Sequence, residues 1–153
     1  MTRDVRVCRP SESVRDCAVA MAHNDIGALP VAEVNLLVGM VTDRDIVIRA
    51  IAAGKGPDTP VREVLSDQVL YCFEDQDLAH VAKSMGLAKI RRLPVLSRDQ
   101  RLVGMLSLAD VARRDAETAS AALADVCRCG DPPGSASAYT LQKPRHEPRG
   151  ALD

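Results

Sequence analysis

GMVTDRD, Gly39 to Asp45, returns 65 positions later as GMLSLAD, Gly104 to Asp110. Working outward from that echo, an offset of 64 lays Val5 on Val69, Cys8 on Cys72, Ala18 on Ala82, Met21 on Met85, Ile26 on Ile90, and Leu29-Pro30-Val31 on Leu93-Pro94-Val95. One inserted residue in the turn from Ser97 to Arg101 moves the offset to 65, and Leu37 to Met40 then fall on Leu102 to Met105. Identities confined to a few apolar and turn positions are what a duplicated fold leaves behind.

Each copy carries the same order of signals. A short β-rich run (VRVCRP; VLYCFED) leads into a helix-period segment, in the first copy with Val14, Cys17, Ala18 and Met21 at helical intervals after Ser11 or Ser13 as a cap. A strand around LPV follows, then a polar turn, a second apolar strand (LLVGMV; RLVGML) and a second helix, which in copy two is expected to run as one element to Val126. The unit is β-α-β-β-α, and the fold class is α+β (α/β). Gly54, Gly56, Pro57 and Pro60 punctuate the link, and PVREVL reads as a short helix entering copy two. The expected organisation is repeat one over 1–57, repeat two with an extended helix over 58–127, and a flexible Pro-rich tail over 128–153. A copy of about sixty residues buries too little surface alone, so the two are expected to pack sheet to sheet about a pseudo-twofold axis.

Composition narrows the function. Hydrophobic residues make up 46% of the 153, with only two Tyr, one Phe and no Trp, so the core must be aliphatic. Lys plus Arg number 20 against 21 Asp plus Glu, which offers neither nucleic acid nor an anionic membrane an electrostatic handle. No apolar run reaches the length of a membrane span and MTRDVRVCRP has no signal-peptide core, so a cytoplasmic location is expected.

The repeated motif, G-apolar-apolar-[Thr/Ser]-x-x-Asp, supports two readings. Thr42 and Ser107 at a helix start, each with Asp three positions on, form a capping box that serves the helix's orphan amides. The same geometry suits a nucleotide, because a helix start with a hydroxyl receives phosphate and a carboxylate one turn in accepts ribose hydroxyls.

The β-α-β-β-α unit, the LPV strand, the motif ending in Asp45 or Asp110 and the tandem arrangement resemble a cystathionine-beta-synthase (CBS) domain pair, or Bateman module, over Met1 to about Arg114. The VTDRDIVIR wording in a compact two-repeat chain also resembles the small stand-alone CBS proteins of actinobacteria, including the mycobacterial hypoxic-response type. The resemblance implies a regulatory sensor, not an enzyme, that binds AMP, ADP, ATP or S-adenosylmethionine between its repeats without a required cofactor. It places ribose on Asp45 and Asp110 and phosphate near Thr42 and Ser107. Arg44 and Arg92 are phosphate candidates through their guanidinium forks. The adenine pocket it implies falls near Val5 and Val69, and around Ala28 to Pro30 and Arg92 to Pro94, hence Leu93 and Pro94. It also implies a homodimer formed through helices and a separate, unidentified effector protein.

Copy one begins at Met1-Thr2, where Leu65-Ser66 fall, so it lacks the lead-in that copy two has. Either the true start lies upstream or the first pocket is missing part of its wall. Gly27-Ala28 stand where copy two has Arg91-Arg92, which predicts sites of unequal charge and affinity. The competing reading is a structural or redox-responsive dimer that binds no nucleotide, with repeat-equivalent Cys8 and Cys72 linked if their Cα atoms come within about 7 Å. Cys127, Cys129 and His146 fall short of a four-ligand metal set, and His23 and His80 have no recognisable nucleophile beside them.

Overall fold

The computed structural model describes residues 1–128, so nearly all of the segment expected to be a tail lies outside them. The elements are α1 (Val14–Asn24), β1 (Ala28–Glu33), β2 (Leu36–Thr42), α2 (Asp43–Asp45) continuing as a π-helical turn (Ile46–Ile51), a 3₁₀ turn (Val61–Glu63), β3 (Cys72–Phe73), α3 (Leu78–Leu87), β4 (Arg92–Leu96), β5 (Leu102–Ser107), α4 (Leu108–Ala112) and α5 (Ala116–Cys127). This is a mixed α+β chain. Its described residues form two compact units, 7–69 and 1–6 with 70–128.

In the first unit, α1 starts where Ser13 accepts a hydrogen bond from the Asp16 amide at 3.1 Å. The helix turns Val14, Cys17 and Met21 inward, and it ends on Asp25 in the left-handed region at φ 51°. β1 and β2 pair antiparallel with Ala28 opposite Thr42 and Pro30 opposite Met40. Leu29, Val31, Val41, Val61 and Val64 are fully buried in the resulting core. Each such side chain stabilises by about 1.5–3 kcal/mol relative to exposure.

The expected first strand of repeat one shrinks to a single bridge between Cys8 and Val31. Cys8 donates to the Pro30 carbonyl and accepts from the Ala32 amide, both at 2.9 Å, and two residues on, Pro10 has no N–H to extend the ladder. The turn between β1 and β2 places Val34 at φ 50° and Asn35 at φ 64°. A left-handed pair is the right geometry for a tight hairpin, but Val is a poor occupant because its branched Cβ crowds the backbone. Val34 is 88% exposed, so nothing offsets that cost. Val34→Asn is expected to stabilise by about 1 kcal/mol, read as a higher urea midpoint at unchanged slope.

In the second unit, β3 runs parallel to β4, and β4 pairs antiparallel with β5, setting Arg92 opposite Ser107 and Pro94 opposite Met105. Asp77 caps α3 by accepting from the His80 amide at 2.9 Å. Val81, Met85, Leu93 and Val111 fill the core, and α5 packs on α3 and α4. The single long helix expected after Asp110 is instead two. α4 ends at Ala112, and Asp115 opens α5 by accepting from the Thr118 amide at 3.0 Å, so a new cap interrupts the run.

The units do not follow the repeats along the chain, because the lead-in segments are exchanged. Ser66, which precedes repeat two, trades backbone hydrogen bonds of 2.8 and 2.9 Å with Met40 of repeat one. Thr2 does the same with Met105 of repeat two, both bonds at 2.9 Å. Residues before repeat two therefore lie along the hairpin of repeat one, and Met1-Thr2 lie along the other hairpin.

Candidate functional site

β2 and β5 each end on the hydroxyl residue of the motif, and the chain turns there into a helix. Thr42 Oγ1 accepts from the Asp45 amide at 3.0 Å and donates to Asp45 Oδ2 at 2.7 Å, and the same Oδ2 accepts from the Thr42 amide at 3.0 Å. Ser107 and Asp110 repeat the arrangement at 3.2, 2.7 and 3.0 Å. The capping reading is thus realised in both copies, and it occupies one oxygen of each carboxylate.

The other oxygen faces an arginine. Asp45 Oδ1 lies 3.6 Å from Arg49 Nε, and Asp110 Oδ1 accepts from Arg113 Nη1 at 2.9 Å. The Arg113 side chain is 77% exposed, and ion pairs of that kind contribute only about 0–1 kcal/mol. Exchanging it for hydroxyl donors costs little. Arg49 is held more firmly, since Nη1 also donates to the Val64 and Leu65 carbonyls at 3.0 and 2.9 Å and to Ser66 Oγ at 3.2 Å. In repeat one the motif carboxylate is therefore tied to the lead-in of repeat two.

Burial pushes the Asp110 carboxyl up, but hydrogen bonds from the Ser107 hydroxyl and amide, with the nearby terminal ammonium and Arg113, outweigh it and hold the group below its ordinary value of 3.8. A carboxylate depressed in the folded state contributes stability that is present above its unfolded pKa and is lost as pH falls through the folded value. Asp110→Asn is expected to flatten the acid limb of the stability curve below about pH 4, measured by urea midpoints from pH 7 down to 3.

The motif glycines have a reason that the sequence pattern alone did not supply. A Cβ on Gly39 would stand 2.7 Å from both the Ser66 carbonyl oxygen and Leu65 Cδ1, and one on Gly104 would stand 2.8 Å from the Thr2 carbonyl oxygen. Each glycine lets an exchanged lead-in reach the strand. Sequence reasoning also missed Arg49 and Arg113, whose spacings of i+4 and i+3 from the motif Asp were the available signal.

The remaining candidates divide between the units. Ala28, Pro30, Thr42, Arg44, Asp45 and Val69 belong to 7–69, whereas Val5, Arg92, Leu93, Pro94, Ser107 and Asp110 belong to the other unit. The ladder brings Ala28 to Thr42 and Arg92 to Ser107. Arg44 and Arg92 are exposed, Val5 is half-buried, and Pro30, Leu93, Pro94 and Val69 are buried. Copy one carries Asp43 close to Gly27, with Oδ2 only 2.9 Å from where a Gly27 Cβ would stand, so the two copies differ in charge at this end of the hairpin.

The CBS-domain signature matches residues 1–51 and 61–117. The chain belongs to the CBS domain family. Among curated relatives, CBS domain-containing protein YhcV of Bacillus subtilis is 35% identical over 128 residues, 82% of this chain and 91% of its own length. Hypoxic response protein 1 of Mycobacterium tuberculosis is 39% identical over 104 residues, 67% of this chain and 72% of its own. The solved structure of Hypoxic Response Protein I with two coordinated zinc ions superposes at a TM-score of 0.68 and 36% identity, covering 74% of this chain and 92% of that one. Two ligand complexes share the fold. CBSX2 in complex with AMP matches at 0.68 and 28%, over 76% and 93% of the chains. The CBS pair of protein MJ0100 with 5-methylthioadenosine and S-adenosyl-L-methionine matches at 0.65 and 26%, over 74% and 92%.

Among the described residues no group of three or more His, Cys, Asp or Glu is placed to hold a metal ion. Cys129 and His146 lie outside those residues. No described helix is long and apolar enough to cross a membrane.

Proposed function

We propose that this CBS pair is a regulatory protein that senses an adenosine-bearing ligand, of the AMP, ADP, ATP or S-adenosylmethionine type, and signals to a separate protein by a change of conformation or packing. The observation that carries the reading is the duplicated motif geometry. In each copy the cap uses one carboxylate oxygen and leaves the other against an arginine, where ribose hydroxyls could replace it. Asp45 and Asp110 then take ribose, while Thr42, Ser107, Arg44 and Arg92 take phosphate. Val5, Val69, Ala28, Pro30, Leu93 and Pro94 form the adenine wall, the buried members through their backbone and as packing behind it. The AMP and S-adenosylmethionine complexes of related CBS proteins support this class of ligand. A ligand of this kind shifts the protein only by its differential affinity for two states. No step of catalysis is assigned to any residue.

Titration with AMP, ATP, S-adenosylmethionine and NAD, followed by thermal shift, tests the proposal. A rise in melting temperature with at least one of them is expected. No shift with any adenosyl ligand, together with a change of oligomeric state on oxidation, would favour the redox-responsive dimer instead.

A homodimer is part of the proposal, supported by an asymmetry between the copies. Val19 on α1 and Val47, Ile48 and Ile51 on the π-helical turn are 47%, 57%, 50% and 61% exposed. In the other unit α5 covers α3 and α4, the equivalents of these elements. Four solvated aliphatics on adjacent helices suit a second copy of the chain. Val47→Glu with Ile51→Glu is expected to convert dimer to monomer in sedimentation velocity, and a wild-type chain already monomeric at tens of micromolar would contradict the dimer.

A further inference from the structure

We propose that Cys8 and Cys17 form a reversible redox site, closing as a disulfide inside the unit 7–69 when the protein meets a hydroperoxide. Both thiols are reduced in the structure and fully buried, and their sulfur atoms are 2.8 Å apart. The surroundings decide between two chemistries, since among the described residues no group of three or more His, Cys, Asp or Glu is placed to hold a metal ion here. Two thiolates on one tetrahedral ion, with metal–sulfur bonds of about 2.3 Å, would sit about 3.8 Å apart, farther than is seen here. A disulfide needs a sulfur–sulfur distance of about 2.0 Å, within about 1 Å of the present one.

The placement is set by backbone on both sides. Cys8 is pinned between the Pro30 carbonyl and the Ala32 amide, and Cys17 donates its amide to the Ser13 carbonyl at 3.1 Å in the first turns of α1. Repeat equivalence pointed to Cys72 as the partner of Cys8, but the sulfur beside Cys8 is that of Cys17. Cys72 sits in the other unit's core, where burial pushes its thiol up to about 11. Cys127 is exposed on α5.

The step balances with the peroxide as oxidant. One sulfur, as thiolate, attacks the O–O bond and becomes a sulfenic acid, while the departing oxygen takes a proton and leaves as water or an alcohol. The second thiol attacks that sulfur, the S–S bond forms, the S–O bond breaks, and a second water leaves with the remaining proton. Two sulfurs supply the two electrons that reduce the peroxide. Access requires the segment before α1 to open, and besides its bridge to β1 that segment accepts from the Val61 and Arg62 amides at Glu12 and Pro10, so the reaction is slower than oxidation of exposed Cys127.

The test treats the full chain with hydrogen peroxide, denatures it, alkylates remaining thiols and maps tryptic peptides by mass. The expected product joins Val7–Arg15, in which the Arg9–Pro10 bond resists trypsin, to Asp16–Arg44, is 2 Da lighter than the two reduced peptides together, and disappears with dithiothreitol. The oxidised protein should melt about 5 °C or more higher, a gain that Cys17→Ala abolishes. The proposal is overturned if Cys8 and Cys17 stay alkylatable after Cys127 is fully oxidised, or if Cys8 is recovered linked to a different cysteine. The peptide map uses the wild-type chain, so it holds even where Cys17→Ala folds poorly.

Discussion

With AMP or S-adenosylmethionine at 100 times its Kd, the Asp45→Ala and Asp110→Ala double variant is expected to melt no higher than it does without ligand. Binding at that concentration stabilises the wild type by about 2.7 kcal/mol. Removing two capping carboxylates costs a further 1 kcal/mol or so each, giving a gap of about 5 kcal/mol between liganded wild type and double variant. The cap loss is present with or without ligand. The difference between the two melting temperatures of one variant therefore isolates the binding contribution, and a wild-type-sized ligand shift in the double variant would leave the carboxylates as caps alone. Single variants rank the sites. For phosphate-bearing ligands Asp110→Ala should lose more than Asp45→Ala, because Arg92 stands opposite Ser107 while the first copy carries Asp43 near Gly27.

The parts of this molecule legible in the sequence are those set by local chemistry. LPV and LVGM read as strands because aliphatic residues alternate with turn signals on either side, and Thr42 and Ser107 read as caps because a hydroxyl three residues before Asp satisfies specific amides. What escaped depends on partners distant along the chain. The pairing of Thr2 with Met105 spans most of the sequence, and nothing in MTRDV announces it. The break between α4 and α5 was missed for a different reason. Helical period continues across Arg113 to Asp115, but the Asp115 side chain captures the Thr118 amide and restarts the helix. Cys17 falls on the buried face of α1 by its spacing from Val14, yet which residue it meets is decided by where Pro30 holds Cys8.

The exchange of lead-ins makes a quantitative claim about the two motif glycines, which the sequence treats as equivalent. Gly39→Val is expected to destabilise by about 3–4 kcal/mol, combining overpacking against Leu65 and Ser66 with strain on the two backbone bonds between Met40 and Ser66. The lead-in there cannot move aside, since Val61 and Val64 are fully buried and Arg49 holds the carbonyls of Val64 and Leu65. Gly104→Val meets the Thr2 carbonyl oxygen and the Met1 side chain, and those two residues can swing away at the loss of two backbone hydrogen bonds, about 2 kcal/mol. Urea midpoints should separate the two variants, and hydrogen exchange should quicken at Met105 in the second without unfolding its hairpin. Equal destabilisation would mean that Met1-Thr2 are fixed as firmly as the buried lead-in. Because Arg49 bridges that lead-in to Asp45, the Gly39 variant should also weaken any ligand held by Asp45, whereas the Gly104 variant leaves Asp45 untouched.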